Sequence, residues 1–418
     1  MSPAQSNAPK TSLLSRLAPG LLIPFLLFSF ITLTVGIQAL PRAGRLYDFR
    51  AFYTAGWLLL HHPAQLFNLS TQTAAQNAVV CPMVRGVPFY HPAYEALLFA
   101  PLSVLSYRHA YIAFAILNLL LVALCYVLAP RATDPRIARI PRPLLFFLCF
   151  PVFMAIAEGQ DSIVFLLLIC LLWRALASGR DGTAGIVLAL ALFKLQIAFA
   201  LLFFLALYLP AARRKHLLLS FAPSAAAVAL TCLLITGPHG FADWLGLIGS
   251  ASIASHLGHH AQSVIAVYPK AMPTLNGLLY LCGGHLLSSH ASFALVVILS
   301  ILVFAAALYL VRTARDLPAA FCAALVAALL LAPHLYLYDY VLLLFPVLLL
   351  TERSQPLLTA LFYVLPFVLF AFAGLDWFAI MAVVPALFLT SQFLSNRSLR
   401  LHDTERKKVT PHPLTAVD

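Results

Sequence analysis

The chain has 418 residues, of which 62% are hydrophobic and only 10% charged, with a mean hydropathy of +0.94. Soluble domains run about 45–50% apolar and about 25% charged, so this composition excludes a soluble globular protein and defines an integral membrane protein. The net charge of +12 then reads as a topology signal, not as evidence for nucleic acid.

Apolar runs of about 20 residues recur from end to end, which predicts helices; a membrane barrel would show short alternating segments. The polar stretch 1–16 reads as a cytoplasmic tail, and 397–418 as a second, basic one. Between them, 17–396 is a transmembrane domain. Spans are predicted at 17–40, 109–129, 143–157, 161–178, 183–194, 195–210, 217–237, 290–311, 317–333, 338–350, 356–375 and 377–396. The first is too long for a signal-peptide core and reads as retained. Two outer segments are long, 41–108 and 238–289.

Charge supports this map. With both termini inside, only seven of the 26 Lys and Arg lie outside: Arg42, Arg45, Arg50, Arg85, Arg108, Lys194 and Lys270. The apolar stretch 91–106 is short for a crossing and reads as a shallow or re-entrant helix. A lysine at mid-membrane depth is costly, so the run 185–209 is expected to break at Lys194, with that residue at the outer surface. Asp134, Asp181 and Asp316 fall inside beside basic residues and read as solvated. Cys81 and Cys282 lie in loops where a disulfide is open to them; the other cysteines read as core residues.

The polar residues that this map leaves over collect on the outer side. Asp48 lies between Arg45 and Arg50 among Tyr47, Phe49, Phe52 and Tyr53. It reads either as a catalytic base or as the N-cap of its own helix. Three outer junctions carry further polar groups: Glu158-Gly159-Gln160-Asp161, Lys194-Leu195-Gln196, and Pro333-His334 through Tyr338-Asp339-Tyr340. A tight turn, a snorkelling lysine and an aromatic belt are the plain alternatives for the three. Brought together, these groups would supply a base, cations and aromatic platforms, the requirements for attack of a hydroxyl on a sugar phosphate. No acidic pair has compelling metal spacing, although Glu158 and Asp161 could hold an ion weakly; no cofactor or metal is expected.

These motifs resemble the GT-C membrane glycosyltransferases, and among them glycosyltransferase family 87, the polyprenyl-phosphate-mannose-dependent mannosyltransferases. The resemblance runs from about Tyr47 to Pro346. It rests on Asp48-Phe49 with Tyr53-Thr54-Ala55-Gly56, Pro88-Phe89-Tyr90-His91-Pro92 before Leu97-Leu98-Phe99-Ala100-Pro101-Leu102, Gly159-Gln160, Ala184-Gly185 before Phe193-Lys194-Leu195-Gln196, and Pro333-His334 to Tyr338-Asp339-Tyr340. The family's usual Tyr-Pro-Pro stands here as Tyr90-His91-Pro92, and its Lys-Pro as Lys194-Leu195.

The resemblance implies an all-α polytopic GT-C bundle of about 12–13 transmembrane helices, with juxtamembrane helices in the first outer loop. It implies an inverting hexosyltransferase of the bacterial inner membrane, with a periplasmic site and Asp48 as base. Lys194, Gln196, His334, Asp339, Arg50 and Arg85 would serve the donor, a polyprenyl-phosphate sugar. Tyr53, Tyr90, His91, Glu158, Gln160 and Tyr338 would line the cavity or meet a glycan or glycolipid acceptor. A transporter or flippase of lipid-linked glycans would carry similar helices and outer cations, with charges at mid-membrane depth or inverted repeats.

Overall fold

The computed structural model describes residues 48–81, 86–257, 268–283, 286–351, 354–374 and 376–409, together with Leu27. The predicted span 17–40, both chain ends and Arg85 lie otherwise outside the described residues. Everything described is helix, turn or loop.

From Asp48 onward the first described elements are short helices that lie against the bundle: α1 (Phe49–His61), α2 (Leu69–Val79) and α3 (Ala93–Phe99). At seven residues, about 10 Å, α3 is far too short to cross a bilayer, as the stretch 91–106 predicts. α1 packs on α3 at Gly56, where a Cβ would lie 2.5 Å from the Phe99 carbonyl carbon. Phe52 stacks on Phe99 at 4.8 Å and Phe49 on Phe114 at 5.5 Å. These aromatics build a second, smaller core beside that of the bundle.

Two buried amides fix the loop that follows α2. Gln72 donates to the Phe89 carbonyl (3.0 Å) and accepts from the Phe89 N–H (2.7 Å). Gln76 does the same to Val87, at 2.6 and 2.9 Å. Each side chain thus replaces a strand partner for an extended segment, which satisfies backbone groups that burial would otherwise leave bare.

The bundle proper comprises α4 (Tyr107–Leu128), α5 (Phe150–Glu158), α6 (Ser162–Ala177), α7 (Asp181–Leu190), α8 (Leu195–Tyr208), α9 (Ala211–Leu257), α10 (Ser289–Arg312), α11 (Leu317–Leu331), α12 (Gln355–Ala373) and α13 (Val383–Val409). As expected of an all-α polytopic membrane protein, six segments among the described residues are long and apolar enough to cross a membrane. Two others, α6 and α11, are shorter apolar helices, and two more are broken. The predicted span 143–157 is two short helices, Arg142–Phe147 and α5, and the span 338–350 is a 3-10 stretch, Leu337–Leu343, followed by Leu344–Leu349.

The apolar run from Asp181 to Tyr208 has the length of one span, but the chain turns back within it. Arg213, just beyond the run, donates to Asp181 at its start, at 2.8 Å. Its two ends are therefore together, and Lys194 lies at the reversal between α7 and α8, where a 3-10 turn, Ala191–Lys194, breaks the helix. This is the predicted break, but Lys194 is buried, at 6% exposure, and not at a surface. α6 measures about 24 Å, less than the roughly 30 Å of a hydrocarbon core, and its N-terminal neighbour Asp161 is correspondingly sunk into the molecule.

Two acids expected to be solvated are buried and paired instead. Asp134 accepts from the Arg136 backbone N–H and side chain, and Asp181 from Arg213. Asp316 caps α11 through the Ala319 N–H at 2.9 Å. Cys81 and Cys282 are free thiols. α9 runs on as a helix to Leu257 through a kink at Gly237, so the predicted outer loop 238–289 begins as helix.

Gly159 closes α5 in the left-handed conformation, φ +63°, with the position of a Cβ 2.5 Å from the Phe49 Cβ. Gly159→Ala is expected to destabilise the fold by roughly 1–3 kcal/mol, from backbone strain plus displacement of Phe49. A thermal unfolding midpoint equal to wild type would show that the turn can relax.

Candidate active site

One turn, Glu158 to Asp161, organises the site, because each of its residues meets a different element. Glu158 accepts a hydrogen bond from the Asp48 backbone N–H. Gly159 lets the turn close onto Phe49. The Gln160 amide donates to the Asp48 carboxylate at 2.6 Å. Asp161 reaches inward to His91 and Lys194.

Asp48 stands at the N-cap position of α1, but its side chain makes no cap hydrogen bond. The helix-cap reading therefore fails. The carboxylate turns to Gln160 and to the Tyr338 hydroxyl, and it opens into a cleft. Burial pushes its carboxyl above the usual range, while those two hydrogen bonds and the Arg50 charge oppose the rise.

Behind this face is a buried ionic network. Lys194 Nζ lies 2.8 Å from Asp161 Oδ1 and 2.7 Å from Asp339 Oδ1, and Ser162 donates to the same Asp339 oxygen at 2.7 Å. His91 Nδ1 lies 2.6 Å from Glu95 Oε2 and 3.2 Å from Asp161 Oδ2. Burial disfavours charge on His91, but the two carboxylates outweigh it and raise its pKa to about 10. Burial, aided by Asp161, lifts Glu95 to about 8 against the pull of His91. His334 is lowered to about 4 by burial and by the charges of His91 and Lys194.

Two clefts adjoin here, of about 500 and about 760 Å³ including the space open to solvent. Tyr90, His91, Gln160, His334, Tyr336 and Tyr338 form their common wall. Asp48 lies on the first cleft only. Lys194, Gln196 and Asp339 lie on the second, with Ile248 of α9. The wall is largely aromatic: Tyr90 meets His334 edge-on at 5.8 Å, and His334 meets Tyr336 at 5.0 Å. Gln196 donates to the His334 carbonyl, and Trp244 of α9 to the Tyr90 carbonyl.

Most residues singled out from the sequence thus converge, although they come from segments nearly 300 positions apart. Three described ones do not line either cleft. Tyr53 is buried and donates to the Leu105 carbonyl at 2.7 Å, a packing role that corrects its expected place in the cavity. Glu158 supports Asp48 from behind. Arg50 acts on Asp48 and Glu158 through its charge. Sequence reasoning gave no role to Glu95, Ser162, Trp244, Gln72 or Gln76. Only Glu95 left a legible signal, its spacing of four from His91 across Pro92.

Fold and site together define a polytopic membrane protein with a polar, aromatic-walled site recessed into one end of a helical bundle. The model of glycosyltransferase family 87 matches residues 89–335, more than half of the chain, and the chain belongs to that family. The match takes in most of the lining of both clefts; Asp48 and its side of the first cleft precede it, and Tyr336, Tyr338 and Asp339 follow it. No curated protein and no solved structure matches the chain.

Proposed function

We propose that this glycosyltransferase moves a sugar, mannose, from a polyprenyl-phosphate donor to a glycan or glycolipid acceptor, with inversion, on the periplasmic face of a bacterial inner membrane. The observation that carries the reading is a carboxylate, Asp48, that bonds to no cation among the described residues and lines one cleft, which adjoins through shared aromatic residues a second cleft lined by Lys194.

In this reading the acceptor hydroxyl enters the first cleft and gives its proton to Asp48. Its oxygen bonds to the anomeric carbon, and the bond from that carbon to the phosphate oxygen breaks on the opposite face. The polyprenyl phosphate leaves with the bonding electrons. Tyr90, Tyr336 and Tyr338 offer ring faces to the sugar. Lys194 and Gln196 stand on the donor side. Lys194 is already shared by two carboxylates, so its field reaches a phosphate weakened, and Arg50 and Arg85 remain as further sources of positive charge.

The direct test is purified protein in proteoliposomes given polyprenyl-phosphate mannose and candidate acceptors, with products resolved by mass spectrometry. Inverted glycoside product supports the reading, whereas donor crossing the bilayer without transfer would support the flippase alternative.

Gln160 is a positioning residue in this scheme, and its substitution has a pH signature. Its hydrogen bond favours the ionised form of Asp48. Gln160→Leu removes that bond, so the carboxyl pKa rises further. The base works only when ionised, and activity falls as pH drops through its pKa. The acid limb of kcat/KM is therefore expected to move to higher pH, with transfer partly recovered in alkaline buffer. An unmoved limb would separate Gln160 from the base.

A further inference from the structure

The buried network holds three carboxylates, Glu95, Asp161 and Asp339, against one obligate cation, Lys194. His91 is the only other ionisable group in contact distance of Glu95 and Asp161 among the described residues. Even with His91 charged, one negative charge remains in excess. A buried unpaired charge is not tolerated without a proton or a bound cation. Two occupants balance the account: protons on both His91 and Glu95, or one divalent cation with His91 neutral.

The geometry favours the cation. His91 Nδ1 sits between the two carboxylates, 2.6 Å from Glu95 Oε2 and 3.2 Å from Asp161 Oδ2. Glu95 is 5% exposed, and its Oε1 has no hydrogen-bond partner among the described residues. One ligand atom from each of His91, Glu95 and Asp161 falls within 4.8 Å of the others. Ligand bonds of about 2.0–2.2 Å put donors roughly 3–3.6 Å apart at right or tetrahedral angles and roughly 4–4.4 Å apart across the ion, so a small closure of these three side chains would bring them onto one ion.

The supporting contacts also suit a metal. Lys194 holds the other oxygen of Asp161, which fixes that carboxylate. The imidazole is clamped between Phe52, edge-on at 5.3 Å, and Phe89, stacked at 5.7 Å. His91 also faces both clefts, so coordination positions not filled by protein open toward them.

We propose that His91, Glu95 and Asp161 bind a single divalent transition-metal ion, of the zinc or manganese class. One imidazole and two carboxylates select these over magnesium or calcium, which take all-oxygen shells. The ion staples the loop before α3 to the turn between α5 and α6. The site stands apart from the transferase reading, because binding needs no turnover.

The experiment measures metal content by mass spectrometry on protein purified without a polyhistidine tag, after exposure to Zn²⁺ or Mn²⁺ and dialysis. Wild type is expected to keep about one ion per chain, and His91→Ala and Glu95→Gln less than about a tenth of that. Chelator is expected to lower the unfolding temperature of wild type, and the metal to restore it. Glu95→Gln, nearly isosteric, should fold and show no response to chelator. Asp48→Asn should bind metal like wild type, so loss of transfer and loss of metal are read independently. Equal metal content in wild type and variants, or a chelator response shared by Glu95→Gln, would overturn the proposal and leave the network balanced by protons.

Discussion

Asp48→Asn is expected to slow sugar transfer by roughly 10²–10⁴-fold, the usual range for removing a general base, while thermal unfolding stays at the wild-type midpoint. The two halves of this expectation rest on different observations. The kinetic half follows from where the carboxylate points: it meets Gln160 and the Tyr338 hydroxyl at the edge of a cleft. The stability half follows from what the carboxylate does not do. It makes no cap bond to α1, so its loss leaves the helix end as it was. An asparagine oxygen still accepts from Gln160. The charge of Asp48 also opposes that of Glu158, so its removal relieves a repulsion instead of creating one. A purely structural acid would show the reverse pattern, a lowered midpoint with turnover per folded molecule retained. The loss is expected in kcat with the donor KM little changed, because a base acts on the acceptor proton. Transfer at the wild-type rate would place the base elsewhere.

Much of this site was legible in the sequence, for a physical reason. In a chain with 10% charged residues, a polar group beside an apolar run is costly, and costly residues mark where something is held. That logic found Asp48, Gln160, Lys194, His334 and Asp339. It also found the reversal at Lys194, since the positive-inside bias requires Arg213–Lys215 to return to the side of Arg180. It failed where side chains point. Tyr53 sits five residues, about 1.4 helical turns, from Asp48 on a buried face, and its place among aromatics in the sequence could not tell packing from cavity. Asp134 and Asp181 looked solvated because basic neighbours are close in sequence, whereas folding turns that proximity into buried ion pairs. Gln72 and Gln76 left no trace, because an amide that mimics a strand partner has no sequence signature until the strand it serves is known.

Lys194→Met is expected to cost about 3–5 kcal/mol of stability, the largest structural effect of any single change at this site. The lysine stands between Asp161 and Asp339, which are 0% and 6% exposed, and no other cation contacts Asp339 among the described residues. Deleting it strands two carboxylates in a buried setting. If the cost comes from those stranded charges, a second substitution should repair part of it. Lys194→Met with Asp339→Asn is expected to unfold at a higher temperature than Lys194→Met alone, and the non-additivity in a double-mutant cycle measures the coupling. The same pair separates two roles that the geometry joins. If Lys194 only ties α6, the reversal between α7 and α8, and the Leu337–Leu343 stretch together, the repaired protein should bind donor as wild type does. If its ammonium also meets the donor phosphate, the repaired protein should fold yet show a raised donor KM that stability cannot explain. The second outcome is expected, because Lys194 lies on the wall of the larger cleft beside Gln196, with Tyr338 against its ammonium at 5.8 Å. A lysine needed only for packing would have no reason to face that opening.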